Sequence, residues 1–269
     1  MYKVIALDMD GTLLNEKKEI TPATMKALRE AKDMGVKVVL ASGRPIEGLY
    51  KYLDEIGLVE EDQYVLSYNG SLVQETKSKK IICENALKGE DYIYTYEIAR
   101  ELGLNIHAFS AERGLITPKL NKYTQYEADM NGITATVEPI SVIKNEEDII
   151  KIMYIDEPEV LEEGIKRLPE ELYDKYTVVR SAPFFLEFVN KESSKGVGLK
   201  ALSEHLGITE KEVIAVGDAN NDLSMLEYAG LGVAMENGTK EVKEIANYIT
   251  KSNEEDGVAH IINKFILEK

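Results

Sequence analysis

The sequence predicts an α/β protein, a doubly wound parallel sheet interrupted by an inserted α+β domain. Two observations lead there. At both ends of the chain, short apolar runs alternate with helix-patterned segments, the rhythm of strands joined by crossover helices. From about Glu84 that rhythm gives way to several strands with fewer helices, as in an antiparallel sheet within a unit of its own. The expected boundaries are 1–84 and 191–269 for the two parts of the core, and 85–190 for the insert.

Val4-Ile5-Ala6-Leu7 has the length and composition of a strand buried on both faces, and it runs into Asp8-Met9-Asp10-Gly11-Thr12. Thr21 and Pro22 read as the N-cap and first position of a helix to about Met34, with Gly35 as its stop. Val36 to Ala41 is a second strand ending in Ser42-Gly43-Arg44-Pro45, and a helix from about Ile46 to Ile56 closes at Gly57. Tyr64 to Tyr68 is a third strand, ended by Asn69-Gly70. In the insert, a helix from Glu90 to Leu102 stops at Gly103. Strands are expected at 105–109, 114–117, 149–155, 177–181 and 185–189, with a helix that Asp156 caps ahead of Pro158. After Lys195 the first rhythm returns, with a helix from Gly198 to Leu206 and the apolar strand Val213 to Val216. That strand ends in Gly217-Asp218-Ala219-Asn220-Asn221-Asp222. A helix to Tyr228, a short strand at Gly232 to Ala234, a helix near Glu241 to Ala246 and a terminal helix from Val258 follow.

The 269 residues carry a net charge of −16, which disfavours nucleic acid because phosphates are repelled without a dense basic patch. The nearest such run, Lys77-Ser78-Lys79-Lys80, reads as a solvated loop. The single cysteine, Cys83, rules out an intrachain disulfide, favours a reducing compartment and reads as a small buried residue. No apolar stretch approaches transmembrane length and no signal-peptide pattern precedes the first strand, so the expected setting is cytoplasmic, with no membrane partner.

Three strand ends carry candidate chemistry. Ligands of open parallel sheets bind outside the carboxyl ends of the strands. There, Asp8 is placed as a nucleophile or metal ligand, and Asp10 as a group that exchanges a proton with a leaving oxygen. Brought together with Ser42, Arg44, Asp218, Asp222 and Lys195, they form a carboxylate cluster that needs a cation. Mg²⁺ fits hard oxygen ligands, and Ser42, Arg44 and Lys195 would hold phosphate oxygens, which makes a phosphoryl-transfer site. Each residue also has a plainer reading: a surface turn for Asp8 and Asp10, helix caps for Asp218 and Asp222, a solvated linker lysine for Lys195, a surface ion pair for Arg44. Their joint placement at strand ends favours the site. Gly196-Val197-Gly198-Leu199-Lys200-Ala201 matches dinucleotide-binding spacing, but polar residues separate it from the preceding strand, so it reads as chance. The three histidines lack metal-ligand spacing, and Tyr92, Tyr94 and Tyr96 read as packing.

The set Asp-Met-Asp-Gly-Thr-Leu-Leu (8–14), Ser-Gly-Arg-Pro (42–45), Lys195 and Gly-Asp-Ala-Asn-Asn-Asp (217–222) resembles the haloacid-dehalogenase superfamily. It is similar in particular to the Cof-like phosphatases, whose large α/β cap is inserted between the second and third motifs. The likeness extends to Tyr68-Asn69-Gly70, 181–187, 225–230 and 253–259. It implies a Rossmann-like core with a cap domain, and Mg²⁺-dependent hydrolysis of small phosphorylated metabolites, chiefly sugar phosphates. By the same resemblance, Asp8 attacks phosphorus to give an aspartyl phosphate, and Asp10 protonates the leaving alcohol and then deprotonates water. Mg²⁺ is implied at the Asp8 carboxylate, the Asp10 backbone carbonyl and Asp218, with Asp222 in or beside the shell. Ser42, Gly43, Lys195 and Asn221 are implied at the phosphate, with Arg44 there or on the cap-facing side. Ser42 stands where many relatives carry Thr, and Asn237-Gly238 where they often have Asn-Ala. His107, Arg113 and Arg180 are candidates for leaving-group contacts. The expected partner is a small phosphorylated molecule, and the expected state a monomer or homodimer. A phosphomutase and a non-catalytic phosphometabolite sensor are the competing functions.

Overall fold

Val4–Leu7 forms β1 with all four side chains buried, as an apolar run between two helical layers must be. α1 (Pro22–Asp33) follows, with the Thr21 side chain accepting from the Thr24 amide, then β2 (Lys37–Ala41), α2 (Tyr50–Ile56), β3 (Tyr64–Ser67), β4 (Leu72–Glu75) and β5 (Ile81–Glu84). Next come β6 (Leu87–Lys88), α3 (Gly89–Leu102), β7 (Asn105–Ser110), β8 (Gly114–Thr117), α4 (Lys122–Asn131) and β9 (Thr136–Val137). β10 (Asp148–Ile155), α5 (Pro158–Ile165), α6 (Glu170–Lys175), β11 (Tyr176–Ala182) and β12 (Phe185–Asn190) follow them. The chain then forms α7 (Lys195–Leu206), β13 (Val213–Gly217), α8 (Leu223–Tyr228), β14 (Leu231–Ala234), α9 (Lys240–Ile245), β15 (Tyr248–Ile249) and α10 (Gly257–Ile262).

This computed structural model describes residues 1–268, which separate into two units: Met1–Glu84 with the chain from Ser194 onward, and Asn85–Ser193. The chain re-enters the first unit at Ser194, beyond the expected 190/191, because the turn after β12 stays with the second unit. There Ser193 N donates to Asn190 O and Ser193 Oγ to Asn85 O.

The first unit is one sheet in the order β15-β14-β13-β1-β2-β3-β4-β5, parallel from β15 to β3 and antiparallel at β4 and β5. Ile5 and Leu7 of β1 pack with Leu28, Leu53 and Ile261 on one face, while Val4 and Ala6 pack with Leu199, Leu202 and Met225 on the other. The two burial faces explain why β1 and β13 are apolar throughout and β2 is apolar from Val38 to Ala41. The β4–β5 hairpin was not expected, since its short strands mix charged and apolar residues at a sheet edge. Cys83, on β5, is only half-buried, unlike the expected buried residue. The segment expected as one helix over 46–56 begins as a 3-10 turn, Ile46–Gly48, before α2. Tyr68 lies outside β3, in a left-handed turn described below.

The second unit is a largely antiparallel sheet, β11-β12-β10-β7-β8-β9, with β6 paired to β10. Tyr92, Leu161 and Leu172 from its helices cover Ile152, Tyr154 and Phe188. α4, capped by Asn121, was not foreseen because its sequence is polar on most sides. Asp156 does not cap α5: its carboxylate accepts from the Asn105 amide and side chain, and Glu157 takes the cap position.

Candidate active site

β1 and β13 are adjacent parallel strands in register from Val4–Val213 to Leu7–Val216, and the Asp8 amide continues the ladder to Val216 O at 3.0 Å. Strand order reverses about β1, so Asp8 and Asp218 emerge side by side at the carboxyl edge where α/β sheets bind ligands. Gly11 is what lets the first loop turn there. Its φ is +87°, and a Cβ would lie 2.5 Å from Asp218 Oδ2. Thr12 Oγ1 donates to Asp218 Oδ1 at 2.6 Å and fixes that carboxylate. One oxygen each from Asp8, Asp218 and Asp222 falls within 4.8 Å of the others, a group able to hold a metal ion.

Lys195, the first residue of α7, is not the solvated linker lysine of the plainer reading. It is fully buried, and its Nζ donates to Asp8 Oδ1 at 2.5 Å and to Asp222 Oδ1 at 2.6 Å. The other oxygen of Asp222 accepts from the amides of Asp218 and Ala219, both at 3.0 Å. Asp222 is therefore committed to holding the lysine and the loop, and Asp8 and Asp218 are the freer metal donors. Burial pushes Asp8 up to about 7, with the charges of Asp222 and Asp218 adding to it and Lys195 opposing. Asp218 is raised by burial and by Asp222, against the bond from Thr12. Burial would lower the Lys195 ammonium, but Asp8 and Asp222 outweigh it and hold it above its ordinary value. One lysine among three carboxylates leaves the cluster short of positive charge, and a hard divalent cation fits that donor set.

Asp10 stands apart from this cluster. Arg44 grips it through Nε at 3.1 Å and Nη2 at 2.7 Å, and Lys18 Nζ donates to it at 2.7 Å. Its burial alone would raise the carboxyl, yet the hydrogen bond from Lys18 and the guanidinium of Arg44 hold it below the usual range. Lys18 was missed in the sequence. Its φ is +60°, and its carbonyl accepts from Tyr52 Oη at 3.2 Å, so its turn is pinned from α2.

Ser42 is buried at the end of β2, its Oγ accepting from the Arg44 amide at 3.2 Å. Asn221 Nδ2 donates to Asn69 Oδ1 at 3.0 Å, and the Asn69 amide donates to Ser42 O at 2.8 Å. Gly43 lies beneath the same asparagine, where a Cβ would approach Asn69 Nδ2 to 3.2 Å. Asn69 was read in the sequence as a strand-ending turn and as part of the Tyr68-Asn69-Gly70 likeness, with no role of its own assigned. Asn237, noted in the sequence only as half of the Asn237-Gly238 pair, donates from Nδ2 to Gly11 O at 2.8 Å.

A family model for haloacid dehalogenase-like hydrolases matches residues 5–262. The chain belongs to that family. It is 45% identical to YxeH of Bacillus subtilis (strain 168) over 100% of both chains. A haloacid dehalogenase-like hydrolase from Bacteroides thetaiotaomicron shares its fold with a TM-score of 0.88 at 38% identity, covering 99% of this chain and 100% of that one. The superfamily's subclass IIB sugar phosphatase BT4131 matches at 25% identity with a TM-score of 0.78, over 98% of each chain.

The candidate site described above lies wholly within the first unit. His107, Arg113 and Arg180 belong to the second, and each is engaged there: His107 is buried beside Thr124, Arg113 pairs with Glu147, and Arg180 with Glu162. Gly196 and Gly198 lie inside α7, so the dinucleotide-like spacing has no strand-to-helix turn to act in. Among the described residues, no helix is long and apolar enough to cross a membrane.

Proposed function

We propose that this phosphatase hydrolyses small phosphorylated metabolites, most of all sugar phosphates, in an Mg²⁺-dependent reaction through an aspartyl phosphate on Asp8. The observation that carries the reading is the buried contact of Lys195 with both Asp8 and Asp222, beside Asp218, at the carboxyl edge of the sheet. Mg²⁺ would be held by the Asp8 carboxylate, the Asp10 backbone carbonyl and Asp218, with Asp222 beside them. When bound, it supplies the positive charge that the carboxylates and the phosphoryl oxygens together need.

In this reading an oxygen of Asp8 forms a bond to phosphorus as the bond from phosphorus to the leaving oxygen breaks. Asp10 gives that oxygen its proton, so the alcohol departs neutral. Asp10 then takes a proton from water as the water attacks phosphorus, freeing phosphate and the Asp8 carboxylate. Lys195, Ser42 and Asn221 hold phosphoryl oxygens. The hold of Arg44 and Lys18 on Asp10 favours its carboxylate, which is the form the second step needs. Arrival of a phosphate that draws Arg44 away removes one of those two cations and lets Asp10 carry the proton for the first step. The inserted unit takes the role of cap and reads the leaving group. A sugar phosphatase of the same fold supports sugar phosphates as the substrate class.

The test is phosphate release from a panel of sugar phosphates, with Mg²⁺ and with chelator, by the wild type and Asp8→Asn. Metal-dependent release that the substitution lowers by on the order of a thousandfold or more is the expected result. Turnover that survives in Asp8→Asn overturns the covalent route. Transfer of phosphate to a sugar, with no free phosphate, makes the enzyme a mutase.

A further inference from the structure

Tyr68, Asn69 and Gly70 have φ of 50°, 55° and 84°, a run of three left-handed residues of which two are not glycine. L-residues visit this region singly and at a cost, and such strain persists only where the surroundings impose it. The surroundings here are the phosphate-binding loops. The Tyr68 amide donates to Arg44 O at 3.1 Å and the Asn69 amide to Ser42 O at 2.8 Å, so the turn holds the loop after β2 by its backbone. Gly70 packs against the start of α7, close enough that a Cβ would collide with Ser194 O. The side chain of Asn69 is the remaining arm, and it holds Asn221 at 3.0 Å. One strained tripeptide thus touches the chain around Ser42, Lys195 and Asn221.

We propose that Asn69 is a positioning residue for phosphate binding: its side-chain oxygen fixes the Asn221 amide at the orientation in which it meets a phosphoryl group. The proposal rests on the phosphatase reading above. An asparagine serves because it tolerates the left-handed backbone and carries an acceptor on a short arm. The strain is retained because that arm must start from this φ.

Asn69→Gly separates the two parts, since glycine keeps the backbone at lower strain and removes only the amide. We expect its thermal unfolding midpoint to match or exceed that of the wild type. Its KM for a sugar phosphate and its Ki for inorganic phosphate should rise roughly five- to tenfold, the loss of one oriented hydrogen bond, with a smaller change in kcat. In an Asn221→Ala background the same substitution should add no further effect, because its target is gone. Wild-type affinity for phosphate in Asn69→Gly overturns the proposal, and so does a loss that adds to that of Asn221→Ala. A wild type that neither releases phosphate nor is inhibited by it fails the phosphatase reading instead, a result separate from either of these.

Discussion

Gly70 and Lys195 pack backbone to backbone: a Cβ on Gly70 would lie 3.0 Å from Lys195 Cα and would run into the carbonyl of Ser194. The residue that turns the chain after β3 therefore also sets where α7 begins and where its buried lysine stands. Gly70→Ala meets both a left-handed φ and a backbone collision. It is expected to destabilise the protein by about 3 kcal/mol in urea unfolding and to lower phosphate release from what folded protein remains.

Lys195→Met leaves Asp8 and Asp222 facing each other in a buried site without their common cation. The expected loss is about 3–5 kcal/mol at neutral pH, shrinking as the pH is lowered and Asp8 takes up a proton. Urea titrations of the variant and the wild type at pH 5 and pH 8, free of metal, compare the two. Equal stability at pH 8 would show that the lysine does not balance the pair.

Asp218→Asn keeps an oxygen for Thr12 to bond, so the loop after β13 should fold as before, but it removes a carboxylate proposed to bind the metal. Mg²⁺ at a hundred times its Kd stabilises a protein that binds it only when folded by about 2.7 kcal/mol. The wild type should show a rise in Tm with Mg²⁺ that chelator reverses, and Asp218→Asn should show little of it. An equal rise in both proteins would place the ion elsewhere.

His107 is buried in the second unit, where burial and the neighbouring Lys151 push it down from its ordinary value to about 3. It stays neutral in the folded state while the unfolded chain protonates it below about 6.5. The folded state thus has its full share of stability above pH 6.5 and loses it as pH falls toward 3, by on the order of 4 kcal/mol in total. His107→Gln should flatten this part of the pH–stability curve relative to the wild type. Parallel curves between pH 6.5 and pH 4 would rule out the histidine as the source.

β1, β2 and β13 and the polar loops that follow them were legible because each is a local signal: an apolar run of strand length, then a turn rich in Asp, Ser or Gly. The helix stops at Gly57 and Gly103 were legible for the same reason, since each glycine has the left-handed φ that a helix end needs. The hairpin of β4 and β5 and the helix α4 were not. Their charged and polar sequences carry weak periodicity, and it is packing against neighbours that selects their conformation. Lys18 escaped notice and Asn69 was given no role because each acts through a side-chain bond that no local pattern encodes, Lys18 to Asp10 across a turn and Asn69 to Asn221 across 152 positions.

By itself the sequence determined the α/β class, the interrupted order of the core, and which loops are candidates for chemistry, since strand burial and turn geometry are encoded within a few residues. The tertiary structure alone decided what each side chain does there. Lys195 reaches Asp8 across 187 positions and Thr12 reaches Asp218 across 206, and no local pattern specifies such contacts. Sheet order brings those residues together, and burial then raises the strength of each charge they share, which is why Asp222 holds the lysine while Asp8 and Asp218 remain open to a cation.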